Sequence, residues 1–121
     1  MLNMFIVLEG IDGCGKTTHA RLLAEWLEEG GRNVFLTAEP TGGEVGALIR
    51  RVLSGGLDVP PRTLALLFAA DRAEHVEEIG KVLVDGGVVV CERYYYSNVA
   101  YQGAQGVDRE WLLKINEFAP K

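Results

Sequence analysis

The stretch Phe5-Ile6-Val7-Leu8-Glu9-Gly10-Ile11-Asp12-Gly13-Cys14-Gly15-Lys16-Thr17-Thr18 decides the fold. Its first four residues are apolar without polar alternation, which predicts a strand buried on both faces, as in a parallel sheet. The run from Gly10 to Thr17 fits the spacing G-x-x-x-x-G-K-[ST], in which glycines let backbone N–H groups surround phosphate oxygens. The helix that follows presents its positive N-terminus to the same anion. The stretch therefore predicts a phosphate-binding loop between a strand and a helix.

Two side chains of this loop carry chemistry. Lys16 can reach the β- and γ-phosphates of a nucleotide, and the Thr17 hydroxyl can bind Mg²⁺. A chance match in a turn is the alternative, but a buried strand before the loop and an amphipathic helix after it favour the functional interpretation. The predicted nucleotide phosphate-binding residues are Gly10, Ile11, Asp12, Gly13, Cys14, Gly15, Lys16, Thr17 and Thr18. The loop alone leaves a GTPase, an ATPase and a small-molecule kinase open, although no N-K-x-D segment follows the third predicted strand.

The remainder of the chain alternates between strand and helix patterns. Apolar runs predict a second buried strand at 34–36 and a third strand at 88–91. Helical spacing predicts helices near 20–27, 45–53 and 63–84 and a short helix within 92–102. Asp108 is predicted to cap a last helix that runs through Phe118. The order β-α-β-α-α-β-α-α predicts an α/β fold with a parallel sheet flanked by helices. Ligands of such sheets bind beyond the carboxyl ends of the strands, where the three richest polar segments meet.

Charge and composition limit the partners. With a net charge of −5, the molecule as a whole does not attract nucleic acid. No apolar run approaches membrane-spanning length, and the segment Met1–Met4 lacks the basic region of a signal peptide. The 2 cysteines are too few for a disulfide framework, which favours free thiols in a reducing compartment. We expect a cytoplasmic protein that binds neither nucleic acid nor a membrane.

Four segments resemble, in order and spacing, the N-terminal part of thymidylate kinases. The first is the opening stretch, whose phosphate-binding loop many families share. The others are Glu39-Pro40 with Arg50, then Phe68-Ala69-Ala70-Asp71-Arg72, and then Glu92-Arg93-Tyr94 with Ser97, Ala100, Tyr101 and Gln102. The last two segments together are far more specific than the loop. The resemblance covers the chain from about residue 5 onward and implies a P-loop nucleoside monophosphate kinase fold.

The resemblance also implies an acceptor site for dTMP. Phe68 would stack on thymine, Arg72 would bond a base carbonyl, and Arg93 would bind the acceptor phosphate. Tyr101 would lie against the deoxyribose, where its ring can exclude a 2′-hydroxyl. The full implied dTMP-binding set is Glu39, Pro40, Arg50, Phe68, Arg72, Arg93, Ser97, Asn98, Tyr101 and Gln102.

The metal and the catalytic groups follow from the same resemblance. It implies ATP as the donor and Mg²⁺ held by Thr17 and Glu92. The family usually has aspartate at position 92, one methylene shorter, a change that a water-mediated contact tolerates. The implied catalytic residues are Lys16, Arg93 and Asp12, the last facing the substrate sugar or the metal shell. No general base is assigned, because a phosphate acceptor with a second pKa of about 6 is largely deprotonated at neutral pH.

The base pocket has an independent rationale and an alternative. Phe68 and Arg72 are four residues apart on a predicted helix and so share a face, which suits stacking on a ring and hydrogen bonding to its edge. From spacing alone, however, a core phenylalanine and a surface arginine are favoured. The resemblance reverses that preference.

The end of the chain bears on activity. Gly13 occupies a position where some members of the resembled family carry a catalytic arginine, and members with a small residue there generally supply it from a lid after the fourth strand. The sequence ends at Lys121, before that strand. We therefore expect residues 1–121 to form one P-loop kinase domain, truncated before the fourth strand and the lid, that turns over poorly and packs loosely by itself.

The hypothesis is thus a thymidylate kinase that converts ATP and dTMP to ADP and dTDP, in a family that commonly forms homodimers. A kinase for another nucleoside monophosphate is the alternative enzyme. A truncated nucleotide-binding module without turnover is the alternative outside enzymes.

Overall fold

The computed structural model describes residues 4–9 and 15–120, without the side chain of Lys16. Its strands and helices follow the predicted order. They are β1 (Met4–Leu8), α1 (Lys16–Glu29), β2 (Val34–Ala38), α2 (Glu44–Leu53), α3 (Pro61–Val84), β3 (Val88–Glu92), α4 (Tyr95–Ala104) and α5 (Arg109–Ile115).

The three strands form a parallel sheet in the order β1-β3-β2. Val88 of β3 is in register with Met4 on one side and with Val34 on the other. The predicted parallel sheet is therefore confirmed, with the last strand in the chain at its centre. All three strands end at the same edge, which positions the polar segments that follow them.

Helices cover both faces of the sheet. Val88 lies in a core cluster with Ala20 of α1, whereas the next residue, Val89, lies in a second cluster with Ile79 of α3. Side chains of a strand point alternately to opposite faces, so α1 covers one face and α3 with α4 and α5 covers the other. A third cluster joins α2 to the first half of α3.

Burial of the strands differs from the sequence-based prediction at one edge. The residues of β3 from Val88 to Cys91 are fully buried, as a central strand requires. The prediction of a fully buried second strand is wrong for Leu36, whose exposed fraction is 44%. Val34 packs against the α1 cluster, whereas Leu36, two residues further along the same strand, does not belong to it.

The helix boundaries have local causes. The long helix α3 starts with Pro61 at its first turn and runs without interruption through His75 and Gly80. At α5 the predicted cap is confirmed, because Asp108 Oδ2 accepts a hydrogen bond from the Trp111 N–H at 3.2 Å. That helix ends at Ile115 instead of the predicted Phe118, since the chain turns at residues 116–118. Within the described ranges, no helix has the length and apolar character needed to cross a membrane.

Candidate active site

Backbone hydrogen bonds join the ends of the three strands. The Arg93 N–H donates to Leu8 O at 2.9 Å, and the Glu39 N–H donates to Glu92 O at 3.0 Å. The residues directly after β1, β2 and β3 therefore start from one rigid edge. This is the convergence that the sequence predicts for the polar segments.

The described part of the donor side consists of the first turn of α1. Gly15 precedes the helix with φ 83°, a left-handed conformation that glycine adopts without steric cost. Thr17 and Thr18 are exposed on this turn. The predicted phosphate-binding residues Gly10–Cys14, including the catalytic candidate Asp12, and the Lys16 side chain lie outside the described residues.

The two predicted metal ligands lie together. Thr17 Oγ1 donates a hydrogen bond to Glu92 Oε2 at 3.2 Å, in a solvent-exposed position. A hydroxyl and a carboxylate are the hard oxygen ligands that Mg²⁺ takes in kinase sites, where phosphates and waters complete the shell. No cluster of three or more His, Cys, Asp or Glu that could hold a metal occurs in the described part of the chain. The oxygen pair therefore suits a cation that is bound together with a nucleotide.

Arg93 follows the central strand in an unusual conformation. Its φ is 67°, and it is the one residue other than glycine with positive φ in the ranges described. The left-handed region costs an ordinary residue about 1–2 kcal/mol, and strained residues concentrate at functional sites. The Cys91 thiol donates to Arg93 O at 3.2 Å and so braces this backbone. The chain therefore tolerates strain where the sequence predicts a phosphate ligand.

Glu9, which the sequence analysis did not assign, caps α4. Its Oε1 accepts hydrogen bonds from the Tyr94 N–H at 2.9 Å, the Ser97 N–H at 3.0 Å and the Ser97 hydroxyl. A carboxylate at a helix N-terminus satisfies amides that lack partners within the helix. Ser97, predicted near the base edge, therefore directs its hydroxyl toward Glu9. The cap ties the residue before the phosphate-binding loop to the helix of the predicted acceptor site.

Arg72 lies at the centre of a buried polar cluster. Its side chain is completely buried, and its Nη2 lies 2.7 Å from Oε1 of Glu39. The guanidinium also donates to Asn98 Oδ1 and to Asn116 Oδ1, and it lies 5.2 Å from the centre of the Tyr94 ring. Four side chains from three other segments of the chain thus surround one cation. The structure brings three predicted dTMP-binding residues together here, namely Glu39, Arg72 and Asn98.

The loop after β2 is fastened to the helices beside it. Asp71 accepts from the Thr41 N–H at 2.8 Å and from the Thr41 hydroxyl at 2.6 Å. Arg50 donates to Thr41 O at 2.7 Å and to Pro40 O at 3.2 Å. A Cβ at Gly46 would lie 2.0 Å from Thr41 O, so only glycine allows α2 to approach this closely. Arg50 and Pro40, both predicted to contact dTMP, are therefore linked through the loop backbone.

The other three predicted dTMP-binding residues are placed differently from one another. Phe68 is buried in the cluster with Ile49 and Leu64. Tyr101 has an exposed fraction of 55% and lines a cleft of about 290 Å³ between α2, α4 and the start of α3. Gln102 is completely buried, and neither polar atom of its amide has a hydrogen-bond partner among the described residues. Tyr101 is thus the one of these three that faces open space.

Burial shifts the pKa values of two side chains next to the Arg72 cluster, Cys91 and Tyr94. It raises the pKa of the Cys91 thiol and that of the Tyr94 phenol well above their usual ranges, with the nearby Glu39 carboxylate acting in the same direction. Both groups are therefore neutral at physiological pH. Cys91 is a free, buried cysteine, which makes it an inert packing residue and not a nucleophile.

Sequence reasoning missed four residues that hold the segments of the predicted site in place. Glu9, Asp71, His75 and Asn116 all bind predicted site segments, yet none of them was assigned a role. His75 follows Arg72 by three residues on one helix, and this spacing, which puts both on the same face, is the signal that the sequence offered. Asn116 carried no such signal, because its position depends on how α5 packs.

Comparisons with known proteins identify the family of this chain. The thymidylate kinase family model matches residues 8–121. The probable thymidylate kinase of Pyrococcus horikoshii is 54% identical over 100% of this chain and 62% of its own length. That of Methanococcus aeolicus is 52% identical over 98% of this chain and 57% of its own length. The chain therefore spans less than two thirds of these curated relatives.

A solved structure supports the same assignment. The crystal structure of thymidylate kinase from Ehrlichia chaffeensis matches with a TM-score of 0.88 and 39% sequence identity. The match covers 100% of this chain and 70% of that one. The resemblance stated from the sequence motifs is thereby confirmed: this chain belongs to the thymidylate kinase family.

Proposed function

We propose that this chain carries the phosphate-binding loop and the acceptor site of a thymidylate kinase, which transfers the γ-phosphate of ATP to dTMP. The observation that supports this most is the role of residues 92–94. Glu92 contacts Thr17 on the donor side, and the Tyr94 ring lies over Arg72 on the base side. The strained Arg93 stands between them, where a phosphate passing from donor to acceptor would be held.

The chemistry needs positioning and charge neutralisation more than covalent help. Lys16 and the loop amides would hold the donor phosphates, and Arg93 would hold the acceptor phosphate. Asp12 would face the sugar or the metal shell. Thr17 and Glu92 would hold Mg²⁺, which supplies neutralisation of phosphate charge when bound. Since the acceptor is already deprotonated, no side chain has to remove a proton.

The base side fits a pyrimidine monophosphate. The planar guanidinium of Arg72 and the amide of Asn98 supply a fixed pattern of hydrogen bonds that a base edge can match. Arg72 is completely buried in the structure, so a base carbonyl reaches its guanidinium only when the side chains that bury it move. Phe68, Pro40 and Tyr101 would enclose the base and the sugar.

A substrate panel tests the proposal. Affinity and turnover are measured for dTMP, dUMP, dCMP and dAMP with ATP and Mg²⁺. We expect dTMP to bind best. Preference for another monophosphate would support the alternative kinase, and ATP binding without binding of any monophosphate would support the nucleotide-binding module.

Tyr101 gives a sharper test of the sugar site. Because Tyr101 is exposed, Tyr101→Ala would leave room for a 2′-hydroxyl without disturbing the core. We expect the preference for dTMP over its ribose analogue to fall. An unchanged ratio would remove Tyr101 from the sugar site.

The cellular setting is part of the proposal. The substrates ATP and dTMP are consistent with a cytoplasmic enzyme that has neither nucleic acid nor a membrane as a partner. The family resemblance supports a homodimer, which sedimentation of the purified protein would test.

A further inference from the structure

His75 is a buried histidine whose two ring nitrogens both have partners. Its Nδ1 lies 2.8 Å from Oε2 of Glu39, and its Nε2 lies 2.7 Å from Oγ1 of Thr37 on β2. The ring of Phe35 packs edge-on beside it, with the ring centres 6.4 Å apart. The side chain is 1% exposed, so no water or ligand competes for these contacts.

The contacts fix where the proton resides. A carboxylate only accepts hydrogen bonds, so Nδ1 must carry a hydrogen to bond Glu39. The neutral imidazole then has Nε2 as its acceptor, and the Thr37 hydroxyl donates to it. Glu39 thus selects the tautomer, and Thr37 holds the other edge of the ring.

Glu39 links the orientation of His75 to that of Arg72. Its Oε2 is bound by His75, and its Oε1 accepts from Arg72 Nε at 2.9 Å. With both oxygens held, the carboxylate plane is fixed, and a fork-shaped guanidinium that bonds to it is fixed as well. Arg72 is therefore held in place through Glu39 by His75, which is not among the predicted dTMP-binding residues.

We propose that His75, oriented by Thr37, is a positioning residue that sets the rotamer of Glu39 and thereby aligns the Arg72 guanidinium for base recognition. This inference rests on the proposed function for the role of Arg72 toward dTMP. The hydrogen-bonded chain Thr37–His75–Glu39–Arg72 stands on the geometry alone. Such outer partners commonly orient the groups that contact a ligand.

Two replacements of His75 separate positioning from packing. The amide nitrogen of asparagine takes roughly the place of Nδ1, so His75→Asn can still donate to Glu39. The amide of glutamine takes roughly the place of Nε2, so His75→Gln fills more space but loses that hydrogen bond. We expect the dTMP dissociation constant to rise about tenfold in His75→Gln and less than about threefold in His75→Asn, the scale of one hydrogen bond.

Controls accompany the titrations. ATP affinity should be unchanged in both variants. Thr37→Val, which keeps the shape and removes the hydroxyl, should weaken dTMP binding by about threefold. His19 is the other of the 2 histidines in the chain and is exposed on α1, so His19→Gln is the matched control and should bind dTMP normally. If His75→Gln binds dTMP as well as the wild type, or better than His75→Asn, packing explains the site and the proposal fails.

A measurement without ligand separates this inference from the proposed function. In the wild type, the Arg72 Nε–H should give a slowly exchanging NMR resonance, identified by its loss in Arg72→Lys. The resonance should exchange at least about tenfold faster in His75→Gln and keep its rate in His19→Gln. An unchanged rate in His75→Gln would overturn the positioning role. If dTMP does not bind the wild type, the proposed function fails, and the exchange rates still decide the role of His75.

Discussion

Two groups of polar side chains lie at the carboxyl edge of the sheet and differ in their access to water. The pair Thr17 and Glu92 is solvent-exposed, with a hydrogen bond of 3.2 Å. The pair Arg72 and Glu39 is buried, with an N–O distance of 2.7 Å. Water can replace the first contact, whereas a buried charge that loses its partner costs several kcal/mol. The exposed side is therefore suited to exchange ions with solvent, and the buried side is suited to keep a fixed arrangement.

The largest expected difference between the two sides is in stability. Arg72→Ala should lower the free energy of unfolding by about 3–5 kcal/mol, because it leaves Glu39 buried without its cation. Thr17→Ala should change it by less than about 1 kcal/mol, because water solvates the remaining carboxylate. Urea denaturation of both variants measures this. Equal losses would show that the two sides do not differ in the way their burial indicates.

The second prediction concerns turnover, which we expect to be more sensitive than stability to a change on the exposed side. Lys16→Ala should reduce turnover by at least about 10²-fold, the scale for losing one transition-state donor. Its unfolding midpoint should stay close to that of the wild type. The assay uses ATP, dTMP and Mg²⁺, and it requires that the wild-type protein shows measurable turnover. Near-normal turnover in the variant would exclude Lys16 from the donor site.

The third prediction concerns the ring on the base side. Phe68→Leu keeps an apolar side chain in its cluster but removes the stacking surface. The dTMP dissociation constant should rise about tenfold, within the range of about 1–3 kcal/mol for base stacking, while ATP affinity stays the same. Val45→Ala, in the same cluster, is the packing control and should affect neither ligand. A similar loss for dTMP and ATP in Phe68→Leu would indicate general damage.

The fourth prediction concerns Arg93, the residue with positive φ between the exposed side and the buried side. Arg93→Gly and Arg93→Ala remove the same side-chain contacts, but only glycine adopts φ 67° without strain. The glycine variant should therefore be more stable than the alanine variant by about 1 kcal/mol. Both should lose dTMP affinity. Equal stability of the two would show that position 93 is not strained in solution.

The smallest expected effect is at Tyr94. Its hydroxyl is buried and has no hydrogen-bond partner within residues 4–9 and 15–120, so Tyr94→Phe should raise the free energy of unfolding by up to about 1 kcal/mol. Burial also raises the pKa of Tyr94 above its usual 10.0. The unfolded phenol therefore ionises first, and the wild type should lose stability as the pH rises past 10.0.

The variant offers a check on that sign. Tyr94→Phe should show a shallower loss above this pH, although Cys91 still contributes to it in both proteins. Denaturation at pH 7 and at alkaline pH measures the difference. A steeper alkaline loss in Tyr94→Phe would contradict the burial of the phenol.

The order of strands and helices could be predicted because its signals are local. The apolar run at Val88–Cys91 and the helical spacing of Ala20 and Leu27 depend on neighbouring residues, and the structure confirms both. The exposure of Leu36 could not be predicted in this way. It depends on which side chains of β2 the helices pack against, and no local pattern encodes that packing.

The base side shows the same limit more strongly. Arg72 meets Asn98, Glu39 and Asn116 across sequence separations of 26, 33 and 44 residues. Spacing alone favoured a core Phe68 and a surface Arg72, and the structure buries both. A buried arginine is stable only where distant polar groups surround it, and no periodicity encodes that condition. The roles implied by the resemblance remain predictions for this chain.

The position of β3 at the centre of the sheet has a consequence for folding. Among residues 4–9 and 15–120, β1 and β2 pair only with β3, so these pairings form only after the chain has been synthesised beyond Glu92. Before that point both are apolar segments whose backbone groups lack sheet partners, and such segments are prone to aggregation. Pairings between residues as distant as Met4 and Val88 also make folding slow, since loop closure comes before any gain from contact. On a ribosome, the emergence of residues 88–92 from the exit tunnel is therefore the step that allows the sheet to form.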